Sequence, residues 1–461
     1  MTSAEHPQSG PPETGVAEEP AERVEHGPIW RVVGGSLLAG LSSAVVLTLV
    51  VFPGSDEYVI TASTLLAFAL GWAMLAVLSA RLTSQPKRWA LVPAAFMAVA
   101  ALALLVARPG NGDLTAAAWV WPALVLTLAA WMLVQLRRAL TGRVRWLLYP
   151  VVAILALIAV GAMYESIALV RDEHRYSMPG RSYEVAGHRL HLNCTGTGSP
   201  TVIFESGLGE TSPVWARITA RVDGTTRVCT YDRAGQGWSG DGPGPQDGLA
   251  VASDLHTLLA RAHEDGPYVL VGHSVGGSYA MIYAAQYPND VAGMVLLDSA
   301  SPYQFTALPD FSGQYAMSRR LYGVLPSIAR IGLWHAFPSS FSSLPEPAAA
   351  QIRAFETSPR QMRNSRDENS MFRRVFEQAQ SLRTLAGKPL VVVTASESLQ
   401  KIHGWSAAQD RLATLTSNSE HRVVEATHVG LLIEKRPSAA SANAIAKIVQ
   451  SVRTSTPVTA Q

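Results

Sequence analysis

At 461 residues the chain is too long for one ordinary domain and long enough for two or three, each with its own core. A formal charge of +2 gives no electrostatic footprint for nucleic acid or for an acidic partner. Hydrophobic residues make up 48% and charged residues only 16%, too few for a chain that is soluble throughout, so the apolar excess must be concentrated in one region.

Residues 1–28 are rich in Pro, Glu, Ser and Gly. They offer too little apolar surface to offset the entropy of ordering, and a disordered acidic tail is expected. An acidic start is also the reverse of a signal peptide, which begins basic and continues into a short apolar core. Five stretches then run without one Asp, Glu, Lys or Arg: Val32–Ser55, Tyr58–Ala80, Trp89–Ala107, Leu114–Leu136 and Trp146–Tyr164. Each holds enough apolar length to cross roughly 30 Å of hydrocarbon as a helix. Five in succession, joined by a few polar residues, favour a transmembrane region over 29–170 rather than buried core helices. Trp89 and Trp146 stand at the edges of their stretches, where interfacial anchors belong.

The connections set an orientation. The second carries Arg81, Lys87 and Arg88, and the fourth Arg137, Arg138, Arg143 and Arg145. The first carries Asp56 and Glu57, and the third balances Arg108 with Asp113. Cationic loops stay in the cytoplasm, which places the N-terminus inside and everything after about Val170 on the extracytoplasmic side of the cell membrane. Arg171 and Arg175 run against that trend. A linker over 171–181 is expected next.

Beyond it, short β-rich runs alternate with amphipathic stretches. The runs are Ser182–Val185, Arg189–Asn193, Thr201–Glu205, Arg227–Tyr231, Tyr268–Val271, Gly293–Leu297, Leu390–Val393 and Arg422–Glu425. Most of the later ones are continuously apolar, as strands buried on both faces must be. Helical patterns such as Gly248–Ala262 and Ser278–Gln286 intervene. The alternation predicts a mostly parallel sheet with helices on both faces, built from 182–300 and 386–452. Residues 301–385 form a long insertion with helical stretches at Pro347–Glu356 and Met371–Leu385, and 453–461 are expected to be a flexible tail.

One motif stands at a strand–turn–helix junction. In "YVLVGHSVGGSYA", Tyr268–Ala280, an apolar strand leads through "GHSVG" into a helix. Gly-x-Ser-x-Gly alone is a weak pattern and equally describes a structural turn. In this context it is what a nucleophile elbow requires: a strained serine lifted above the sheet edge, with Gly272 and Gly276 where a side chain would collide. Serine at its own pKa is inert and needs a base. His421 and His428 both flank the last run, but only His428 follows it and so shares the carboxyl edge with Ser274.

With these residues the chain resembles the α/β-hydrolase family over roughly Arg181–Val452. "TVIFESGLGETSPVW", Thr201–Trp215, is similar to the family's third strand and oxyanion loop. "YDRAGQGWS", Tyr231–Ser239, looks like the loop after its fourth strand, and "ATHVGLL", Ala426–Leu432, like its late histidine loop. The resemblance implies a mostly parallel eight-stranded sheet with a helical cap over 301–385. It implies a serine nucleophile at Ser274 and a base at His428. For the acid two residues remain open: Asp298 after the sixth strand, or Glu397 near the usual position, where this chain has Ser398. Backbone N–H groups of Leu208 and Val275 would form the oxyanion hole, although Ser206 stands where members often carry histidine. Its sheet order sets the strands of Cys194 and Cys229 side by side, which allows a disulfide in an oxidising compartment; two buried thiols are the alternative.

The expected activity is a membrane-anchored serine hydrolase cleaving a carboxylic ester, lipid or lactone bond, its substrate a small-molecule or lipid acyl compound. The alternatives are an acyltransferase or peptidase on the same triad, or a non-catalytic membrane receptor. No metal-ligand spacing or phosphate loop is present, so no cofactor and no metal are expected.

Overall fold

The computed structural model describes residues 2, 28–139, 145–337 and 339–460. The expected disordered tail lies outside the described residues except for Thr2 and Pro28, as does Arg143 of the fourth connection. Among the described residues, four unbroken helical stretches are long and apolar enough to cross a membrane: Ile29–Val51, Glu57–Leu82, Arg88–Ala107 and Arg145–Arg175. A fifth crossing exists if Asn111–Ala117 and Trp121–Arg138, bent by 46° at the break between them, count as one span. The break falls just ahead of Pro122, which disfavours helical backbone at the residue before it and has no N–H for the ladder. Trp89 packs against Trp72 and Trp131, with ring centroids 5.9 and 6.5 Å away. Trp146 is exposed.

The last of these helices continues through Arg175, so the expected linker over 171–181 is half helix. "RDEHR" consists of residues that tolerate helix, and His174 and Arg175 complement the negative end of the dipole. Eight strands follow: β1 Arg181–Val185, β2 His188–Thr195, β3 Val202–Glu205, β4 Val228–Asp232, β5 Tyr268–His273, β6 Val291–Leu297, β7 Leu390–Ala395 and β8 Ser419–Val424. They form one sheet in the order β1-β2-β4-β3-β5-β6-β7-β8. The β1–β2 and β2–β4 pairs are antiparallel and the rest parallel. In register with Cys229, Cys194 forms a disulfide with it across β2 and β4.

Strands β3, β4, β5 and β7 are buried at every position, as their apolar runs require. Edge strand β8 is only half-buried and begins on polar residues ahead of the apolar run. His421 therefore lies inside the strand rather than before it. Helices Gly248–Ala262 and Gly276–Gln286 bury their apolar sides on one face of the sheet, and Ala216–Val222 and Lys435–Thr454 on the other. Asp247 accepts the Ala250 N–H at 3.0 Å and caps the first of them. The C-terminus is not the flexible tail expected: Val458 is fully buried, and its N–H donates to Asn418 Oδ1 at 2.8 Å. Removing its apolar side chain from water holds the end of the chain down.

Between β6 and β7 the insertion folds into helices Gln304–Ala307, Phe311–Arg330, Ala348–Glu356 and Pro359–Ala379. Phe311–Arg330 and Pro359–Ala379 pack on each other, and the former also touches the ends of the apolar helices. Thr61 and Ser327 hydroxyls lie 3.0 Å apart. Arg330 donates to both carboxylate oxygens of Glu57 and, at 3.3 Å, to Asn111 Oδ1. Arg366 reaches Asp56 at 3.1 Å, and His335 Nε2 lies 2.7 Å from Glu165.

Candidate active site

Ser274 sits between the end of β5 and the helix at Gly276, with φ +56°. That left-handed backbone is uncommon for a residue with a side chain and costs roughly 1–3 kcal/mol. Glycine on either side makes the bend possible. A Cβ on Gly272 would come within 2.5 Å of Gly277 Cα, and one on Gly276 within 2.1 Å of the Glu205 carbonyl oxygen. The bend is pinned to the next strand, since Ser274 N–H donates to Leu297 O at 3.2 Å and Ala300 N–H to Ser274 O at 2.8 Å. Ser274 is half-buried, and no hydrogen bond among the described residues uses its hydroxyl.

Asp298 follows β6, immediately beside the elbow, and is fully buried. Its Oδ2 accepts from His428 Nδ1 at 2.6 Å and from the Ser398 hydroxyl. Its Oδ1 accepts from Trp405 Nε1 at 2.8 Å and Ala395 N–H at 3.2 Å. Burial pushes this carboxyl up, but the bond and charge of His428, with Ser398 and Trp405, outweigh it and hold it below the ordinary range. Serine at position 398, where the family resemblance expects an acid, thus hydrogen-bonds the Asp298 carboxylate.

His428 lies in the loop after β8, half-exposed. Its ring is 4.5 Å, centroid to centroid, from that of His273, the residue before Ser274, whose Nε2 lies 3.1 Å from His428 O. Glu397 touches a different part of His428: its Oε2 accepts the backbone N–H at 3.1 Å, and Oε1 pairs with Lys401 at 2.5 Å. The structure brings Ser274, His428 and Asp298 to one edge, with Asp298 on the imidazole and Glu397 on the main chain. His421 lies 2.8 Å from both Asp410 and Thr394.

Under the elbow, His273 Nδ1 lies 2.8 Å from Glu210 Oε1, both side chains buried. Burial pushes the imidazole down, yet the Glu210 charge raises it above its ordinary value. Burial likewise pushes Glu210 up, and the His273 charge lowers it below its own. Glu210 Oε2 accepts Gly207 N–H at 2.6 Å. In the same loop Gly209 N–H donates to Glu368 at 3.1 Å. The N–H groups of Leu208, between them, and of Val275 enter no hydrogen bond among the described residues. The main chain around Leu208 is therefore fixed on both sides while its own donor is left open.

The residues that fix it were not legible in the motifs. Arg233 donates to Ser206 O and Gly207 O, each at 2.8 Å, and to Glu368 Oε1 at 2.7 Å. Glu368 comes from the insertion helix Pro359–Ala379 and also accepts from Gln236 at 2.8 Å. Gln361 on that helix donates to Gly209 O at 2.9 Å. The one available signal was Arg233 itself, a charge in a loop against a buried strand end, which needs a buried counter-charge.

Glu205, at the end of β3, is buried and accepts from Tyr231 Oη at 2.8 Å. Burial raises its carboxyl to about 7, Arg233 and Tyr231 offsetting only part. A carboxyl raised by folding favours the protonated native state, so its contribution to stability declines as pH rises from 4.5 to about 7. Glu205→Gln removes that decline. The variant's thermal midpoint in detergent should gain on the wild type across this interval and run parallel outside it. A difference constant with pH would exclude the burial effect.

Sequence comparison agrees with the fold. The α/β-hydrolase fold family profile matches residues 200–433. An uncharacterized protein of Schizosaccharomyces pombe is 31% identical over 303 residues, 56% of this chain and 55% of that protein. The uncharacterized protein YqjL of Bacillus subtilis is 33% identical over 133 residues, 28% of this chain and 53% of its own. The chain thus spans about half the length of these curated relatives. Among solved structures, a thermophilic esterase from Thermogutta terrifontis superposes with a TM-score of 0.45 at 21% identity, over 59% of this chain and 99% of that one. From its sheet order, its elbow and the profile over half of its length, the chain belongs to the α/β-hydrolase fold family.

Proposed function

We propose that the chain is a membrane-anchored serine hydrolase that cleaves an ester-like bond through Ser274, His428 and Asp298. The observation that carries this reading is the 2.6 Å bond from His428 Nδ1 to buried Asp298, made beside a serine held at φ +56°. His428 Nε2 takes the Ser274 proton as Oγ attacks the carbonyl. Asp298 holds the tautomer that leaves Nε2 free and stabilises the imidazolium. The tetrahedral oxyanion takes the open N–H groups of Leu208 and Val275. The leaving group departs with the proton from Nε2, and water, activated by the same nitrogen, hydrolyses the acyl-enzyme.

Anchoring rests on the apolar helices, and orientation on their connections. Asp56, Glu57 and Asn111, from the first and third connections and the start of a helix, meet the hydrolase half. The second and fourth, with their Arg and Lys, are therefore assigned to the cytoplasmic side. The Cys194–Cys229 disulfide supports an extracytoplasmic hydrolase half, because such bonds persist in oxidising compartments. A lipidic or other acyl compound is the proposed substrate.

A fluorophosphonate probe tests the chemistry. It should label the detergent-solubilised chain covalently, and the label should vanish in Ser274→Ala. Labelling that survives this change would remove the elbow from the mechanism. A wild type that neither labels nor turns over p-nitrophenyl esters would favour a binding protein instead.

A further inference from the structure

The insertion presents two kinds of exposed surface. On helix Pro359–Ala379 the exposed positions are Arg373, Arg374 and Glu377, each charged. Between Phe311 and Phe337 no exposed position carries a charge. Met317, Leu321, Leu333 and Phe337 there are 51%, 52%, 48% and 58% exposed. Of the three arginines of the helix, Arg330 is buried on Glu57, Arg319 lies against Gly54, and Arg320 is half-buried. A water-facing surface of this length normally carries charge, so the missing charge marks an interaction face.

Its position indicates what covers it. Exposed apolar side chains on helix Arg145–Arg175 run from Trp146 to Val170, about 36 Å at a rise of ~1.5 Å per residue. That length exceeds the roughly 30 Å hydrocarbon core. The turn at 331–335 meets this helix below its upper end. A Cβ on Gly161 would come within 2.3 Å of Ile331 O, Tyr164 and His335 rings lie 5.0 Å apart, and His335 pairs with Glu165. Gly161 to Glu165 lies about 7–14 Å short of Val170 along the axis, still within the apolar length. The turn carrying Leu333 and Phe337 therefore stands beside a part of the helix that faces lipid. His335 pairs with one oxygen, Oε2, of Glu165, the one acid buried in that stretch.

We propose that the edge of the insertion from 312 to 337 is immersed in the boundary between headgroups and acyl chains, so that the lipid bilayer is its docking partner. This rests on the reading that the N-terminal helices cross that bilayer. The immersed helix packs on Pro359–Ala379, whose Gln361 and Glu368 hold the Gly209 main chain. The insertion thus lies between lipid and the oxyanion loop, and a bilayer-resident acyl lipid is the matching substrate class.

Single cysteines test the immersion, since the native pair is already bonded. Leu321→Cys and Phe337→Cys in the full chain, labelled with a fluorophore, are reconstituted in phosphatidylcholine–phosphatidylglycerol nanodiscs. Leu157→Cys on the spanning helix and Val423→Cys on the core serve as references, both exposed. Lipid spin-labelled near the headgroup should quench 321 and 337, while aqueous iodide should lose the quenching it shows at 423. Should 157 respond to lipid and 321 and 337 to iodide as 423 does, immersion fails and anchoring stands. Iodide quenching at 157 would overturn anchoring itself. Shielding of 321 and 337 from both quenchers would mean a second protein surface covers the edge, which also overturns the proposal. Met317→Cys and Leu333→Cys give the same reading if either variant does not elute as monodisperse protein.

Discussion

Replacing Ser274 by alanine is expected to lower kcat for an ester substrate by about a millionfold, His428→Ala by a similar factor, and the double variant by no more than either. The reason is that, in the proposed mechanism, the two groups perform one event. Without the hydroxyl there is no nucleophile for His428 to deprotonate, and without the imidazole the hydroxyl keeps its proton at neutral pH. Removing either collapses the same path, so the losses do not multiply. What remains is stabilisation of the oxyanion by Leu208 and Val275 and the orientation of bound substrate, worth about 10³–10⁴ over water. Turnover of p-nitrophenyl butyrate by purified variants measures all three. Losses that multiply in the double variant would mean that Ser274 and His428 act in separate steps, contrary to the proposed mechanism.

The fold was legible because its strands are written as buried runs. All eight fall where β-rich segments alternate with amphipathic ones, and the largest shift of a strand start is instructive. Strand β8 begins at Ser419, three residues ahead of the expected start, because an edge strand is hydrogen-bonded on one side and can carry polar residues. The fourth apolar stretch shows the opposite limit. Composition gives its length, but Pro122 introduces a bend that hydropathy does not register. For the candidate site, Ser274 and His428 were readable as candidates because each stands in a local motif. Glu368 was not. It lies in "RNSRDENS", which reads as a solvated face, and becomes a buried clamp only when folding brings it across 135 residues to Arg233. Glu57 and Glu165 are similar, since their partners Arg330 and His335 come from the insertion. Patterning within one segment records which face is buried, not which distant charge comes to meet it.

Asp298→Asn is expected to lower kcat by about 10⁴ with KM little changed, whereas Glu397→Gln should leave kcat near the wild-type value. The two oxygens of Asp298 receive four donors: Ala395 N–H and Trp405 Nε1 on one, His428 Nδ1 and the Ser398 hydroxyl on the other. An asparagine has only one oxygen. With it toward Ala395 and Trp405, its NH₂ faces His428, and the imidazole moves its proton to Nε2 so that Nδ1 can accept. That tautomer has no lone pair for the Ser274 proton. With the amide reversed, two buried N–H donors lose their acceptor at roughly 1–3 kcal/mol each, so the first arrangement prevails. Glu397→Gln keeps an acceptor for His428 N–H and alters only the exposed pair with Lys401. The charge on Asp298, held below its ordinary 3.8, persists through neutral and mildly acidic pH, and the stability it contributes is lost only as pH falls through that lowered value. If Glu397→Gln is the variant that loses turnover while Asp298→Asn retains it, the acid has been assigned to the wrong carboxylate and the orientation of His428 must come from the loop after β7.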